Sequence, residues 1–224
     1  VPTTSAKDYV TWANAYPPGR SRLNNVEVIR FPVRRPRRMK VFADLSDEVF
    51  DARAPANRQE AWFRENGPEA PRLLEHLRAH GREYDLVLFW SYRYYTAYFG
   101  VPIVADRAVL LPTAEEDPAI GLDVLEEYFK KPAGYLFLTP EEADLVSRRA
   151  GQPLAPAATV GSGVDPAPHP PGPDAHLRAL GIPGDFVLYV GRIDRNKGCH
   201  TLFEYFERHL AEGGINTTLV LAGP

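Results

Sequence analysis

The sequence has little cysteine and no long apolar run, and both absences narrow the class of protein. Cys199 is the single cysteine among 224 residues. It excludes an intrachain disulfide and fits a protein that folds in a reducing cytosol. No segment is long and apolar enough to span a membrane as a helix. We therefore expect a cytoplasmic protein.

The sequence also lacks a large excess of charge of either sign. Lysine and arginine total 26 against 29 aspartate and glutamate, which gives a net charge of −3. No overall positive field attracts nucleic acid, so nucleic acid is not expected as a partner. Hydrophobic residues at 44% and charged residues at 25% are typical of a globular protein.

Several common ligand motifs are missing as well. The glycine spacing of the dinucleotide fingerprint and the Gly-Lys-Ser/Thr ending of the P-loop do not occur. There is no Asp-x-Asp motif of the kind that holds a divalent metal ion. These absences exclude the commonest sequence signatures for nucleotides and metal ions.

The most informative stretch runs from residue 186 to residue 200. An apolar run at 186–190 predicts a strand buried on both faces, as in a parallel sheet. A polar loop with Arg192 and Lys197 follows, and then a helical pattern and a second apolar strand at 218–222. This βαβ unit places two cations in front of a helix N-terminus, an arrangement that suits an anion.

The loop pattern Gly191-Arg192-x4-Lys197-Gly198 resembles the donor-diphosphate loop of family 4 glycosyltransferases, which have the GT-B fold. The resemblance implies that Arg192 and Lys197 grip the diphosphate of a nucleotide sugar, with Gly191 and Gly198 shaping the loop. A solvated loop with ordinary surface charges is the alternative interpretation.

Motifs elsewhere in the chain are similar to the same family and occur in its order. They are Trp12-Ala13-Asn14, the strand leading into Arg30-Phe31-Pro32-Val33, the Pro-Thr-Ala turn at 112–114, Thr139-Pro140-Glu141-Glu142, and Gly163-Val164-Asp165. The resemblance implies an α/β protein with two Rossmann-like, doubly wound parallel-sheet domains, the second truncated after its first βαβ unit. A proline-rich segment at 166–173 is the predicted linker.

The expected domains are therefore 1–165, an acceptor-side domain lacking its first strand, and 166–224, the start of the donor domain. Residue 1 is Val and the single methionine is Met39. We therefore expect an internal piece of a longer protein, and we expect the piece alone to be inactive.

Membership of this family would imply transfer of a sugar, of the hexosyltransferase type, with retention at the anomeric carbon. The donor would be a UDP-, GDP- or ADP-sugar, and the acceptor a hydroxyl of a glycan, a lipid or a small molecule. No cofactor is expected. No metal is expected either, since two fixed cations could stabilise the leaving diphosphate. The family's catalytic glutamates lie in a segment beyond residue 224, so the catalytic residues are unknown.

Glu115 and Glu116 are candidates for acceptor contact. They follow the C-terminal end of a predicted strand, where open α/β sheets bind ligands, while Asp117 is the predicted cap of the next helix. Some relatives have His at the position of Glu115, which makes a non-catalytic regulatory relative an alternative. A sugar-nucleotide epimerase of the same fold and an inactive remnant are two further alternatives.

Arg34, Arg35, Arg37 and Arg38 form a basic cluster. A solvated loop is the simpler interpretation. Contact with an anionic acceptor or with an anionic membrane surface is the alternative, and it would make the protein peripheral on the inner membrane face.

Local patterns complete the predictions. Helices are expected at 56–66, 71–80, 119–131 and 140–151, and strands at 26–33, 84–90 (buried), 109–112 and 134–138. His76 and His80 are one helical turn apart, which suits either a shared metal or a polar helix face. The tyrosines at 92, 94, 95 and 98 suit either core packing or sugar stacking.

Overall fold

The structure is a computed structural model that describes residues 1–51, 54–154, 156–166, 177–182, 185–213 and 217–224. The chain forms two compact units, Val1–Gly163 and Val164–Pro224. Each unit combines parallel strands with helices. Residues 167–173 of the predicted linker lie outside the described residues.

Seven strands form two sheets in the described part of the first unit. One sheet has the order β1-β3-β2, with β1 parallel and β2 antiparallel to β3. The other has the order β4-β5-β6-β7 and is parallel throughout. The strands are β1 (Pro2–Thr4), β2 (Gly19–Leu23), β3 (Val26–Phe31), β4 (Val87–Trp90), β5 (Ala108–Leu111), β6 (Gly134–Phe137) and β7 (Ala157–Thr159).

Six α-helices accompany these strands in the described part of the unit. They are α1 (Met39–Asp51), α2 (Ala56–Asn66), α3 (Pro71–His80), α4 (Tyr95–Gly100), α5 (Val124–Tyr128) and α6 (Pro140–Ala150). In the four-stranded sheet, α4, α5 and α6 each connect one parallel strand to the next. Crossovers between parallel strands are almost always right-handed, and right-handed crossovers between successive neighbours place their helices on one face of the sheet.

One continuous core holds the first unit together. Phe63 of α2 stacks on Tyr98 of α4 with ring centroids 3.8 Å apart. Phe63, Leu110 of β5 and Leu125 of α5 are completely buried. Burying one large apolar side chain contributes roughly 1.5–3 kcal/mol, so this core is the main source of stability of the unit.

Three of the four tyrosines take part in this core, as the packing interpretation predicted, while Tyr94 is only half-buried. Tyr92, Tyr95 and Tyr98 are buried, and Tyr98 stacks on Tyr128 with centroids 5.2 Å apart. Burial raises the pKa of Tyr92. These three rings therefore do not form a sugar-stacking surface.

Several local predictions need correction. Strands β1 and β2 and helix α1 were not predicted. The helix predicted at 119–131 is a 3-10 turn, Pro118–Gly121, followed by the short α5. Strand β4 is not buried throughout, because Leu88 and Trp90 are 57% and 61% exposed, although Phe89 between them is only 7% exposed.

The second unit has two parallel strands and one main helix among its described residues. They are β8 (Phe186–Val190), α7 (Cys199–Ala211) and β9 (Thr218–Ala222), and β8 pairs with β9 along its whole length. The prediction that β8 is buried on both faces is wrong, since Leu188 is 53% and Val190 74% exposed. Two strands and a helix provide too little cover to bury both faces of a strand.

Candidate functional site

The loop that joins β8 to α7 begins where the ends of two strands come very close together. The amide of Gly191 donates to the carbonyl of Ala222 over 2.9 Å, and the amide of Ile193 donates to that of Pro224 over 3.0 Å. A Cβ atom on Gly223 would lie 1.8 Å from the carbonyl oxygen of Gly191. Only glycine fits at residue 223, so this close approach fixes the start of the loop.

The carbonyl of Arg192 is contacted by one side chain of β8 and one of α7. The hydroxyl of Tyr189 donates to it over 2.7 Å, and the thiol of the buried Cys199 lies 3.8 Å away. The side-chain hydrogen bond with Cys199, together with burial, raises the pKa of Tyr189 to about 12, so its hydroxyl stays protonated at neutral pH. The backbone is anchored, while the Arg192 side chain is 58% exposed.

Asp194 shapes the rest of the loop. Its carboxylate accepts the amide of Lys197 over 2.9 Å and caps the 3-10 turn Arg195–Lys197. It also lies 3.5 Å from the guanidinium of Arg192. Gly198 then turns the chain with a φ of +75° into α7, whose N-terminus has no side-chain cap.

This loop, residues 191–198, is called the basic loop below. The side chains of Arg192 and Lys197 are both exposed. The first amides of a helix have no partners within the helix, and the helix dipole makes that end positive. An uncapped helix N-terminus with two nearby cations can bind a phosphate or diphosphate.

A second polar region lies at the C-terminal edge of the parallel sheet in the first unit. Ser91 follows β4 and Thr113 follows β5, and both have left-handed backbones, with φ of 61° and 50°. Non-glycine residues rarely adopt this conformation, and such strain concentrates at functional sites. No sequence pattern identified these two residues.

The carboxylate of Glu142 ties this edge together. Glu142 is buried and accepts the amides of Ala114 and Leu138, each over 2.7 Å. Thr139 caps α6, because its hydroxyl accepts the amide of Glu142 over 3.1 Å. The side chain of Glu142, however, reaches a loop 28 residues away, which a local capping motif does not reveal.

Glu115 and Glu116 lie at the same edge with exposed side chains. Neither carboxylate forms an ion pair with any residue that the structure describes. Asp117, in contrast, pairs with Arg93 and accepts the amides of Ala119 and Ile120. Asp117 therefore caps the turn that follows, while the two glutamates remain available to a ligand.

The basic cluster of the first unit is neither a simple solvated loop nor a free cationic surface. Arg34 and Arg35 pair with Glu69 over 2.9 and 2.8 Å, and Glu69 is only 7% exposed. Arg35 and Arg38 pair with Glu65.

Arg37, the remaining arginine of the cluster, lies over the ring of Phe42 and bonds to Asn66. Burial lowers the pKa of Arg37. Arg34, Arg35 and Arg38 are thus paired with carboxylates, and Arg37 is packed against Phe42.

The two histidines of α3 have partners of their own. Nε2 of His76 lies 2.8 Å from the hydroxyl of Tyr84, and Nδ1 of His80 lies 2.8 Å from Glu83. No group of three or more His, Cys, Asp or Glu side chains that could hold a metal ion occurs in the described ranges. Those ranges also contain no helix long and apolar enough to cross a membrane.

Two solved structures are similar to the chain over most of its length. One is an α,α-trehalose 6-phosphate synthase from Burkholderia multivorans, with a TM-score of 0.60, 20% identity and coverage of 92% of this chain. The other is a UDP-forming α,α-trehalose-phosphate synthase from Burkholderia vietnamiensis, with a TM-score of 0.59, 20% identity and the same coverage. The chain has the GT-B fold.

The predicted fold class is thereby confirmed. The chain spans about half the length of these structures, 54% of the first and 55% of the second. No model of a known protein family matches the sequence, and no curated protein sequence matches it. At 20% identity, the similarity shows the fold alone. The chemistry has to be argued from the residues of the basic loop and of the C-terminal edge of the parallel sheet.

Proposed function

We propose that the chain belongs to a glycosyltransferase that moves a sugar from a nucleotide-diphosphate sugar to an acceptor hydroxyl. The observation that carries this proposal is the basic loop, where two exposed cations flank an uncapped helix N-terminus. The GT-B fold and the UDP-forming activity in the name of one similar structure support it. Within the fold, the loop sequence favours family 4, a retaining reaction, and a UDP-, GDP- or ADP-sugar as donor.

In this proposal Arg192 and Lys197 bind the diphosphate, with Gly191 and Gly198 setting the backbone around it. Breaking the bond to the sugar leaves negative charge on the diphosphate. Cations and helix amides fixed before the reaction stabilise that charge without reorganising. We infer that this stabilisation replaces a divalent ion, so that the reaction needs no metal.

The acceptor would bind at the C-terminal edge of the parallel sheet in the first unit. Glu115 and Glu116 are exposed there, beside the strained Ser91 and Thr113. A glutamate carboxylate can accept hydrogen bonds from the hydroxyls of a sugar, a lipid headgroup or a small molecule. The name of one similar structure, a trehalose 6-phosphate synthase, favours a small sugar phosphate as acceptor.

Glu115→Gln should raise the acceptor KM or lower kcat by about tenfold, since a hydrogen bond to a charged group contributes roughly 1.5–3 kcal/mol. Initial rates over a range of acceptor concentrations measure both constants. Glu127→Gln is the matched control, because Glu127 is exposed and pairs with Lys130 on α5. Wild-type constants for Glu115→Gln would remove this residue from the acceptor site.

The reaction class is tested by nucleoside diphosphate release from UDP-, GDP- and ADP-sugars, with and without acceptor. The protein should be a longer polypeptide that holds both complete domains, since we propose that residues 1–224 alone are inactive. We expect acceptor-dependent release that survives EDTA. Conversion of the donor without acceptor would indicate an epimerase, binding without release would indicate a regulatory protein, and rescue by Mn²⁺ after EDTA would contradict the metal-free mechanism.

A further inference from the structure

A turn at residues 8–11 presents two large apolar side chains to solvent. Tyr9 is 62% and Val10 49% exposed. Hydrogen bonds define the shape of this turn, because the carboxylate of Asp8 accepts the amides of Val10 and Thr11 over 2.9 and 2.6 Å and the hydroxyl of Thr11 over 2.9 Å. The turn thus holds two apolar side chains away from the core of the first unit.

Arg37 ties this turn to the start of α1. Its amide donates to the carbonyl of Thr11 over 2.7 Å, and its guanidinium donates to the carbonyl of Tyr9 over 3.0 Å. Met39, the first residue of α1, follows two residues later and is 52% exposed. Tyr9, Val10 and Met39 are called the apolar tip below. Exposed apolar side chains gathered in one place are typical of an interaction site.

Two lysines flank the apolar tip. Lys7 comes directly before the turn and Lys40 directly after Met39, and both side chains are exposed. Neither lysine forms an ion pair with any residue that the structure describes. The carboxylate of Asp8 is bonded to amides within the turn. The two lysines therefore leave positive charge beside the apolar tip.

We propose that the apolar tip binds the surface of an anionic lipid bilayer. Val10 and Met39 would enter the bilayer, and Tyr9 would lie at the level of the headgroups, where tyrosine is enriched in membrane proteins. Lys7 and Lys40 would contact the phosphates of the headgroups, since lysine near an anionic membrane surface is attracted to it. Lysine is depleted from interfaces between proteins, so a bilayer fits this combination better than a protein partner.

A chain of hydrogen bonds connects the apolar tip to the C-terminal edge of the parallel sheet. The guanidinium of Arg37 bonds to the carbonyl of Tyr9 and to Asn66, whose side-chain amide donates to the carbonyl of Arg93 over 2.8 Å. A bilayer at the tip would bring lipid headgroups near the edge where we propose that the acceptor binds. Binding to a bilayer does not itself depend on the proposed function, because it needs no sugar transfer.

The test is co-sedimentation of the 224-residue chain with vesicles. One set contains phosphatidylcholine alone, and the other also contains phosphatidylglycerol as about a quarter of the lipid. We expect at least about tenfold tighter binding to the anionic vesicles, since each lysine near such a surface contributes about fivefold. Added salt should weaken this binding, because it screens the lysines.

Two matched double variants locate the binding surface. The tip variant is Tyr9→Ser with Val10→Ser. The hairpin variant is Leu23→Ser with Val26→Ser, at residues of nearly equal exposure, 58% and 48%. Val26 begins β3, whereas the turn follows the end of β1, which is parallel to β3, so the two sites lie at opposite ends of this sheet. We expect only the tip variant to lose vesicle binding, by at least about tenfold.

Single charge variants test the role of the lysines. Lys7→Gln and Lys40→Gln should each weaken binding to anionic vesicles by about fivefold and leave the weak binding to neutral vesicles unchanged. Lys131→Gln is the control, because Lys131 is also exposed and lies far along the chain from the tip. It should change neither binding constant.

Three results would overturn the proposal. Failure of the unmodified chain to bind anionic vesicles would show that the apolar tip has no affinity for a bilayer. Equal losses in the tip and hairpin variants would show non-specific adsorption. A dimer in light scattering that only the tip variant dissociates would assign the tip to a second copy of the chain.

Discussion

The two units have similar local patterns but differ in how much apolar surface they cover. In the first unit, Phe63, Leu110 and Leu125 are completely buried. In the second, Cys199 is the single buried hydrophobic residue of the described part, and Val190 of β8 is 74% exposed. An apolar strand thus becomes core only where other elements cover it.

The units also differ in the carboxylates that pair with their arginines. Arg34, Arg35 and Arg38 of the first unit pair with the largely buried Glu65 and Glu69. In the basic loop, Arg192 lies 3.5 Å from the carboxylate of Asp194, its side chain 58% exposed. Arginines of both units thus pair with a carboxylate, and the units differ in how deeply that carboxylate is buried: Glu69 and Glu65 are 7% and 12% exposed, whereas Asp194 is 35% exposed.

The largest expected difference is in amide hydrogen exchange. Amides of β5 should exchange at least about a thousandfold more slowly than those of β8, because buried strands open only on global unfolding while poorly covered ones open locally. Exchange measured by mass spectrometry on the 224-residue chain checks this. Equal protection of the two strands in a monomer would show that the second unit is stable by itself.

Replacing one leucine by alanine in each unit tests the same difference in burial through the free energy of unfolding. Leu110→Ala should lower the free energy of unfolding by about 3 kcal/mol, because it leaves a cavity in a packed core. Leu188→Ala should cost less than about 1 kcal/mol, since that side chain is 53% exposed and leaves no cavity. Urea denaturation followed by circular dichroism measures both free energies of unfolding. Similar decreases in the two variants would contradict the claim that the first unit buries its apolar side chains and the second leaves them exposed.

The charge comparison predicts a smaller effect. Glu69→Gln should destabilise the first unit by about 2 kcal/mol, because it leaves two arginines without the buried carboxylate that they share. Glu27→Gln is the control: Glu27 pairs with Arg20 at the surface, where both side chains are more than half exposed. Such exposed pairs contribute about 0–1 kcal/mol. If both variants lose the same stability, the arginines are not held by Glu69.

Helix ends were predictable from the sequence where proline or glycine marks the start or the end of the helix. α2 and α3 have their predicted limits, because glycines follow both and proline begins α3. α1 was missed, since no capping residue precedes Met39 and the arginine cluster drew the interpretation towards a loop. The spacing of Phe42, Leu45 and Val49 could have revealed its buried face.

Burial and long-range contacts were not predictable. The apolar sequences of β4 and β8 are compatible with burial. Whether a strand is buried depends on the helices and strands that pack against it, and the sequence of the strand itself does not specify these. The spacing of Thr139 and Glu142 is that of a local capping motif, but the carboxylate of Glu142 accepts the amide of Ala114, 28 residues earlier. The basic loop was recognisable because its glycines and cations are close together in the sequence.

The most direct test of the account is calorimetric titration with UDP, GDP and ADP of a polypeptide that holds both domains. Arg192→Ala and Lys197→Ala should each raise the Kd of the preferred diphosphate by about 10- to 100-fold, as expected for a lost hydrogen bond to a charged group. Arg195→Ala, an exposed cation of the same loop, should change it less than about twofold. An unchanged Kd in both Arg192→Ala and Lys197→Ala, or an equal loss in Arg195→Ala, would contradict the assignment of the basic loop as the diphosphate site.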